Sequence, residues 1–493
     1  MKKLLSFALV LVLIISAFSG CRSSKKAKTA DAPVETTEEP ETVSSEYPSV
    51  PVHVEGAVFS GQAGDSVAVD LVFAPDMILL ADNTVYDPDI ASFSALMCAD
   101  SYFREKDLDK GTQNRVLVDG KNAEDYDFTA LMTEIGFSDA KHIETYKEKE
   151  YEFDTNDSAT MNLGYMDTEN ADLFVAVVRG CFSAGEWLSV FDPGADSDNY
   201  GILTGEHPEW NEKTTFKGAG VAAERALEFI DSFIEEHDDE SKENVILITG
   251  HSRGGMIAEI LGAAFEERKD TRSFTYTFNA SPVTENPEAK NCETVFNVFD
   301  SNDFYSDVLP FGSETFFRYG RDISADMSSD DSLKSSVAGL KGRDDYQCAS
   351  PEVLSKYAEM FGNLFPDRSS LYDAVGFSER FENEADAQSR FDELVSLAGA
   401  EEGLGLDSAM TIEKIASSDG TYDVAVNYSG AVILAGYSKV LAYGGAAYDA
   451  FASLFSGDPD ACAIAQLLNE NAAGLSGGHL LINGYVLSRD YEG

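Results

Sequence analysis

Five residues near the middle of the chain, Gly250-His251-Ser252-Arg253-Gly254, hold a serine in the spacing Gly-x-Ser-x-Gly. The chemistry this spacing serves is nucleophilic attack. A serine hydroxyl is a weak nucleophile until a base accepts its proton, and that base needs a third group to orient it. Where Gly-x-Ser-x-Gly builds a nucleophile turn in an α/β scaffold, the partners follow in the order Asp or Glu, then His. The chain has six histidines, His53, His142, His207, His237, His251 and His479, and only His479 follows Ser252. It stands in a glycine-rich turn, Ser476-Gly477-Gly478-His479, and is the predicted base. The acid has three candidates. Val295–Phe299 runs into Asp300-Ser301-Asn302-Asp303-Phe304-Tyr305-Ser306-Asp307, which sets Asp300, Asp303 and Asp307 at a strand end, where α/β sites are built.

The flanks of the serine give the motif its meaning. Val245–Ile248 is an unbroken apolar run, as expected of a strand buried on both faces. Met256, Ile257, Ile260, Leu261 and Ala264 then recur at helical spacing. A turn this sharp strains the serine backbone and brings neighbouring chain close, which calls for glycine at Gly250 and Gly254. It lifts Ser252 above the sheet, at a helix N-terminus that favours negative charge.

Leu173–Gly180 reads as another doubly buried strand, Lys217–His237 as a helix, and Phe274, Tyr276 and Phe278 alternate as a strand before Val295–Phe299. Strand and helix in this rhythm predict an α/β fold, a mainly parallel sheet with crossover helices. Upstream, Val52 to about Asp82 reads as strands or an extended lead-in, Tyr86–Phe103 and Phe128–Phe137 as helices, and His142–Phe153 and Met161–Tyr165 as strands. From Tyr319 the pattern changes. Met327–Ser336 reads as a polar loop and Val353–Phe365 and Phe377–Leu397 as helices, while Val424–Leu454 is rich in Ala, Gly and Tyr. This region is expected to be a largely helical insertion, a cap over the site. Its glycines suit either close helix packing or a cap lining an acyl pocket.

Four separated stretches resemble the class-three lipases and their bacterial lipase-like relatives. Val177-Val178-Arg179-Gly180 with Trp187 looks like the family's Arg-Gly-Thr strand end and following Asp-Trp. Gly250–Gly255 looks like its Gly-His-Ser-x-Gly-Gly, Phe278-Asn279-Ala280-Ser281-Pro282 like its Phe-Gly-Ser-Pro, and Asn302-Asp303 with Val308-Leu309-Pro310 like its Asn-Asp-x-Val-Pro-x-Leu-Pro. The resemblance covers roughly 86–320 plus the His479 stretch, and implies an α/β-hydrolase fold, a carboxylic ester or acyl-lipid substrate, and Asp303 as triad acid. The residues Phe304–Asp307 interrupt the family spacing there and keep Asp307 and Asp300 as alternatives. The oxyanion hole would use the backbone N–H groups of Arg253, after the nucleophile, and Cys181, at the end of the Arg-Gly strand. Thr or Ser is usual at the position of Cys181, and a thiol is a weak donor. About 175 residues separate Asp303 from His479, more than the family's short link. The rival readings are an esterase or thioesterase for small substrates, and a surface binding module on a hydrolase scaffold.

The remaining features bound the function. Lys2 and Lys3 precede the apolar run Leu4–Ile15, so Met1–Cys21 reads as a secretory signal. Its end, Phe18-Ser19-Gly20-Cys21, resembles a bacterial lipobox, which implies lipidation of Cys21 and an extracytoplasmic protein anchored to the membrane. The expected organisation is a signal at 1–21, a disordered tether at 22–51, a hydrolase core at 52–320, the insertion at 321–470 and a terminal core segment at 471–493. A net charge of −51 argues against nucleic acid and against docking by charge on anionic lipid. Cys98, Cys181, Cys292, Cys348 and Cys462 form no zinc pattern or disulfide framework and leave room for a single bridge. Asp196-Ser197-Asp198-Asn199-Tyr200-Gly201 opens like a calcium loop but has Tyr200 and His207 where oxygen ligands belong, so no metal and no cofactor is expected.

Overall fold

The computed structural model describes residues 49–56, 67–102, 114–118, 128–144, 159–181, 186, 190, 216–307, 316–341, 348–399 and 403–490. Cys21, Trp187 and the calcium-like loop at 196–207 lie outside the described residues, as does most of the expected tether.

A small antiparallel sheet of β1 (Val50–Gly56), β2 (Val67–Phe73) and β3 (Asn114–Val118) has β1 at its centre. β1 begins within the last residues of the expected tether, and β3 has no counterpart among the sequence expectations. The main sheet contains β4 (Asp139–Glu144), β5 (Thr160–Asp167), β6 (Ala171–Val178), β7 (Glu243–His251), β8 (Thr271–Phe278), β9 (Val295–Asp300) and β10 (Arg321–Ala325). They lie in the order β10-β9-β8-β7-β6-β5-β4, with β6 to β10 parallel and β4 and β5 antiparallel at one edge.

The runs Leu173–Val178 of β6 and Val245–Ile248 of β7 are unbroken apolar stretches because both faces are covered. Along β6, Phe174, Ala176 and Val178 face one core while Leu173, Val175 and Val177 face the other. Along β7, Ile246 and Ile248 oppose Val245 and Leu247 in the same way. The first core is closed by helices Lys217–His237 and Arg253–Glu266, the second by Pro88–Asp100 and Leu481–Asp490. Helix Pro88–Asp100 starts where Asp87 accepts from the N–H groups of Asp89 and Ile90, with Pro88 in the first turn.

The sheet continues past the change of pattern at Tyr319. β10 adds a parallel edge strand, and helix Asp331–Lys341 follows, where a polar loop was expected; Leu333 and Val337 are its buried residues. The region beyond is helical as expected, with Pro351–Leu364, Glu384–Ala398, Gly430–Tyr443, Gly445–Leu454 and Pro459–Glu470. It also holds a three-stranded antiparallel sheet of β11 (Ala374–Phe381), β12 (Thr411–Ala416) and β13 (Tyr422–Ser429), in the order β11-β13-β12. The helix expected over Phe377–Leu397 is therefore a strand and then a helix. Asn383 separates them by accepting from the Asp386 N–H as an N-cap.

Close packing accounts for a glycine in helix Gly430–Tyr443. A Cβ on Gly436 would lie 2.5 Å from Phe451 Cε2, and the Phe451 ring is fully buried and stacked on Tyr437. Tyr437 is buried, with its hydroxyl donating to the Ala461 carbonyl, and Leu441 is buried beside it. Alanine is the better helix former by about 1 kcal/mol, while overpacking a core costs typically 1–3 kcal/mol. Gly436→Ala is therefore expected to lower the denaturant midpoint. A raised midpoint would mean that these helices leave room the geometry denies.

Candidate active site

The β7–helix turn puts Ser252 at φ +58° and ψ −128°, a conformation that side chains rarely adopt. Its neighbours make the turn possible. A Cβ on Gly250 would lie 2.2 Å from the Gly254 carbonyl oxygen, and one on Gly254 would lie 2.1 Å from that of Val178. The Ser252 N–H donates to the Phe278 carbonyl at 2.9 Å, and its carbonyl accepts from Met256, which begins the helix. Its side chain caps nothing, which leaves the hydroxyl free for another partner.

That partner is His479. Its Nε2 lies 2.8 Å from Ser252 Oγ, and its Nδ1 lies 3.1 and 3.0 Å from Asp303 Oδ1 and Oδ2. A carboxylate only accepts, so Nδ1 carries the proton and Nε2 presents its lone pair to the serine hydroxyl. Asp303 is 4% exposed, and its Oδ1 also accepts from the Tyr305 N–H at 2.9 Å. The turn carrying His479 lies directly on the turn carrying Asp303. A Cβ on Gly478 would sit 2.8 Å from the Asn302 carbonyl oxygen. Asn483 Nδ2 donates to the carbonyls of Gly477 and Gly478, at 2.9 and 3.1 Å, and holds that turn from the last helix.

The structure brings Ser252, His479 and Asp303 together and keeps Asp300 apart. The Asp300 Oδ1 accepts from the Asn302 N–H at 3.0 Å, from Asn302 Nδ2 at 3.1 Å and from the Met327 N–H at 3.4 Å, which braces the end of β9. The side chain of Asp307 lies outside the described residues.

Arg253 opens the helix after Ser252, and Cys181 follows Gly180 beyond the end of β6, whose Val178 pairs with Gly250 of β7. Burial pushes the Cys181 thiol well above its ordinary range, against the pull of nearby Arg253, so it is a neutral thiol. Below it, Arg179 pairs with Glu186 at 2.9 Å, with both side chains almost wholly buried. Among the described residues, Cys98, Cys181, Cys292 and Cys462 are free thiols. Among the described residues no group of His, Cys, Asp or Glu is placed to hold a metal ion, and no helix is long and apolar enough to cross a membrane.

Four contacts at the site escaped the sequence reading. The His251 Nε2 lies 3.1 Å from the His479 carbonyl, which can only accept, so His251 donates there and takes the Tyr102 hydroxyl, 2.8 Å away, on Nδ1. Burial and the adjacent His479 push the His251 pKa down to about 3, so it is neutral and cannot replace His479 as the mobile base. The Tyr305 ring rests against the His479 ring, with centroids 4.3 Å apart. Asn279 also touches the site. The aromatic type of Tyr305, two residues after the acid, is a signal that could have been read; the contacts of Tyr102 and Asn279 have none in the sequence.

Residues 175–311 match the family model described as Lipase (class 3). The sequence matches no curated protein. Among solved structures the chain is similar to the Rhizomucor miehei lipase in its propeptide complex, at 15% identity and TM-score 0.32 over 49% of this chain and 68% of that one. It is also similar to a triacylglycerol lipase with a serine protease triad (17%, TM-score 0.31, 45% and 73%) and to one from Penicillium expansum (14%, TM-score 0.29, 38% and 71%). The matched stretch contains Ser252 and Asp303, and the chain is a serine ester hydrolase.

Asp303→Asn is expected to lower kcat by roughly three to four orders of magnitude, because an amide donating to Nδ1 forces the wrong tautomer on His479. Asp300→Asn should instead lower thermal stability and retain most of kcat. Kinetics and melts of the two variants check the assignment, and the reverse pattern would move the acid to Asp300.

Proposed function

We propose that the protein is a lipid-anchored extracytoplasmic hydrolase of acyl lipids, with Ser252, His479 and Asp303 as its catalytic triad. The observation that carries the triad is the unbroken path from Ser252 Oγ through the imidazole to the buried Asp303 carboxylate. Ser252 Oγ attacks the ester carbonyl carbon as its proton passes to His479 Nε2. Asp303 holds the ring in register and balances the imidazolium. The backbone N–H groups of Arg253 and Cys181 receive the oxyanion, and the helix N-terminus behind Ser252 favours its charge. Collapse of the intermediate breaks the bond to the leaving alkoxide, which takes the proton from His479. A water deprotonated by the same nitrogen then frees the acid and restores the serine.

The acyl-lipid preference is supported by the class-three lipase match over 175–311. A neutral thiol at Cys181 lends the hole no strong side-chain donor, which is the feature that favours a small-substrate esterase or thioesterase as the second reading. A series of p-nitrophenyl esters separates the two: kcat/KM rising to long acyl chains supports the lipase, and a maximum at acetate or butyrate the esterase. Ser252→Ala should lose hydrolysis and labelling by a fluorophosphonate probe together. Persistent hydrolysis in that variant would remove Ser252 from its role, and a wild-type protein that takes no label would favour a binding module.

The anchor is supported by the run Leu4–Ile15 and the Phe18-Ser19-Gly20-Cys21 end. A net charge of −51 gives the surface no attraction of its own for anionic lipid, so retention at the membrane falls to the acyl chains on Cys21. Cys21→Ser is expected to abolish incorporation of a fatty-acid analogue in metabolic labelling. Labelling that persists in the variant would overturn the lipoprotein assignment.

A further inference from the structure

Asn279 follows β8 immediately and holds φ +51°, one of two non-glycine residues with positive φ among those described; the other is Ser252. It is 1% exposed. Its N–H donates to the Val298 carbonyl at 3.0 Å, which ties it to β9. Its side-chain Nδ2 lies 3.1 Å from Asp303 Oδ2 and 3.1 Å from the Gly478 carbonyl oxygen. Both partners only accept, so the amide orientation is fixed: the nitrogen faces them.

We infer that Asn279 is a positioning residue for the acid–base pair, its single amide group holding the Asp303 carboxylate and the backbone beside His479 in register. This rests on the triad assignment above. The two bonds join three separate segments: the end of β8, the turn after β9 and the turn before the last helix. The bond to Asp303 also occupies a lone pair that His479 does not fully use, which limits rotation of the carboxylate out of the imidazole plane. Glycine would satisfy the backbone at +51° with no strain, and asparagine tolerates it less well. The strained conformation is therefore explained by the amide and not by the turn.

Glycine isolates the amide. In Asn279→Gly the backbone conformation is retained, so the melting temperature should fall only by what the two lost hydrogen bonds contribute. The amide's loss should reduce kcat about tenfold to a hundredfold with KM within about twofold. Asn279→Asp tests the same contact by charge. Among the described residues, the groups at Asp303 include His479, the Tyr305 N–H and neutral Asn279, and neutral His251 at the end of β7 is close enough to feel its charge. Asp300, on the same loop, turns its carboxylate to Asn302 and the Met327 N–H. Two adjacent carboxyls share one proton, and the new one donates to Asp303 only while it keeps that proton. Activity of Asn279→Asp should therefore fall as pH rises, where the wild type stays level.

Wild-type kcat in Asn279→Gly would overturn the inference by reducing Asn279 to a backbone role. If that variant does not fold, the pH profile of Asn279→Asp decides: an alkaline loss supports positioning, and a wild-type profile overturns it. Full hydrolysis by Ser252→Ala in the same assay is a different failure, that of the triad itself.

Discussion

The strained turn at Ser252 is the constraint on which the site depends. A serine at φ +58° costs of the order of 1–3 kcal/mol and persists only where its surroundings over-determine it. Here three neighbours do so. The Phe278 carbonyl takes the serine N–H, β6 lies under Gly254 with its Val178 carbonyl, and the helix from Arg253 fixes the exit direction. Each of these is delivered by a parallel strand or a crossover helix, so the apolar content of β6, β7 and β8 is the counterpart of the exposed hydroxyl they support. Strain is stored at the point where it presents the nucleophile, and burial of two cores offsets it.

The other two side chains of the proposed triad arrive from far along the chain, and their meeting relies on backbone contact as much as on side chains. The Gly478 turn presses on the Asn302–Asp303 backbone, and Asn483 holds it from a helix that lies against Pro88–Asp100 and β9. His251 adds a further link, from the residue before Ser252 to the His479 carbonyl. A buried imidazole normally threatens a site with a second titration. Burial holds this one neutral, and the Tyr102 hydroxyl on its Nδ1 fixes which nitrogen donates.

What was legible in the sequence was whatever leaves a local period or a fixed order. Doubly buried strands read as unbroken apolar runs, helix Lys217–His237 read at its observed bounds, and the order of serine and histidine singled out His479. Asp303 could not be separated from Asp300 by residue type alone, because Asp300 ends β9 and Asp303 follows only three residues later. The sequence misread β11 because Phe377, Glu379 and Phe381 sit in a short alternating run that merges with the helix beyond Asn383. The cap residue is there to be read, but a strand of a small sheet with one polar face has no strong apolar period. β10 escaped for a similar reason: as an edge strand, Arg321–Ala325 is half polar. Tyr102 and Asn279 could not be found at all, because their partners lie 149 and 24 residues away and nothing in the local sequence refers to them.

The long separation of acid and base then takes on a physical meaning. A base joined to its acid by a short link is placed by that link; here about 175 residues intervene, and loop closure alone would place His479 poorly. The region between is not idle. Its helix Pro351–Leu364 sets the Tyr357 ring edge-on to Phe304, with centroids 4.7 Å apart, and Phe304 adjoins Asp303. Phe304 in turn lies edge-on to Tyr305, whose ring supports His479. An aromatic path thus runs from the intervening helices to the His479 imidazole. The same region returns the chain through Ala472–Gly477 to the base turn, so its packing reaches both partners of the hydrogen-bonded pair. The geometry that a short link would provide through chain connectivity is provided here through contact.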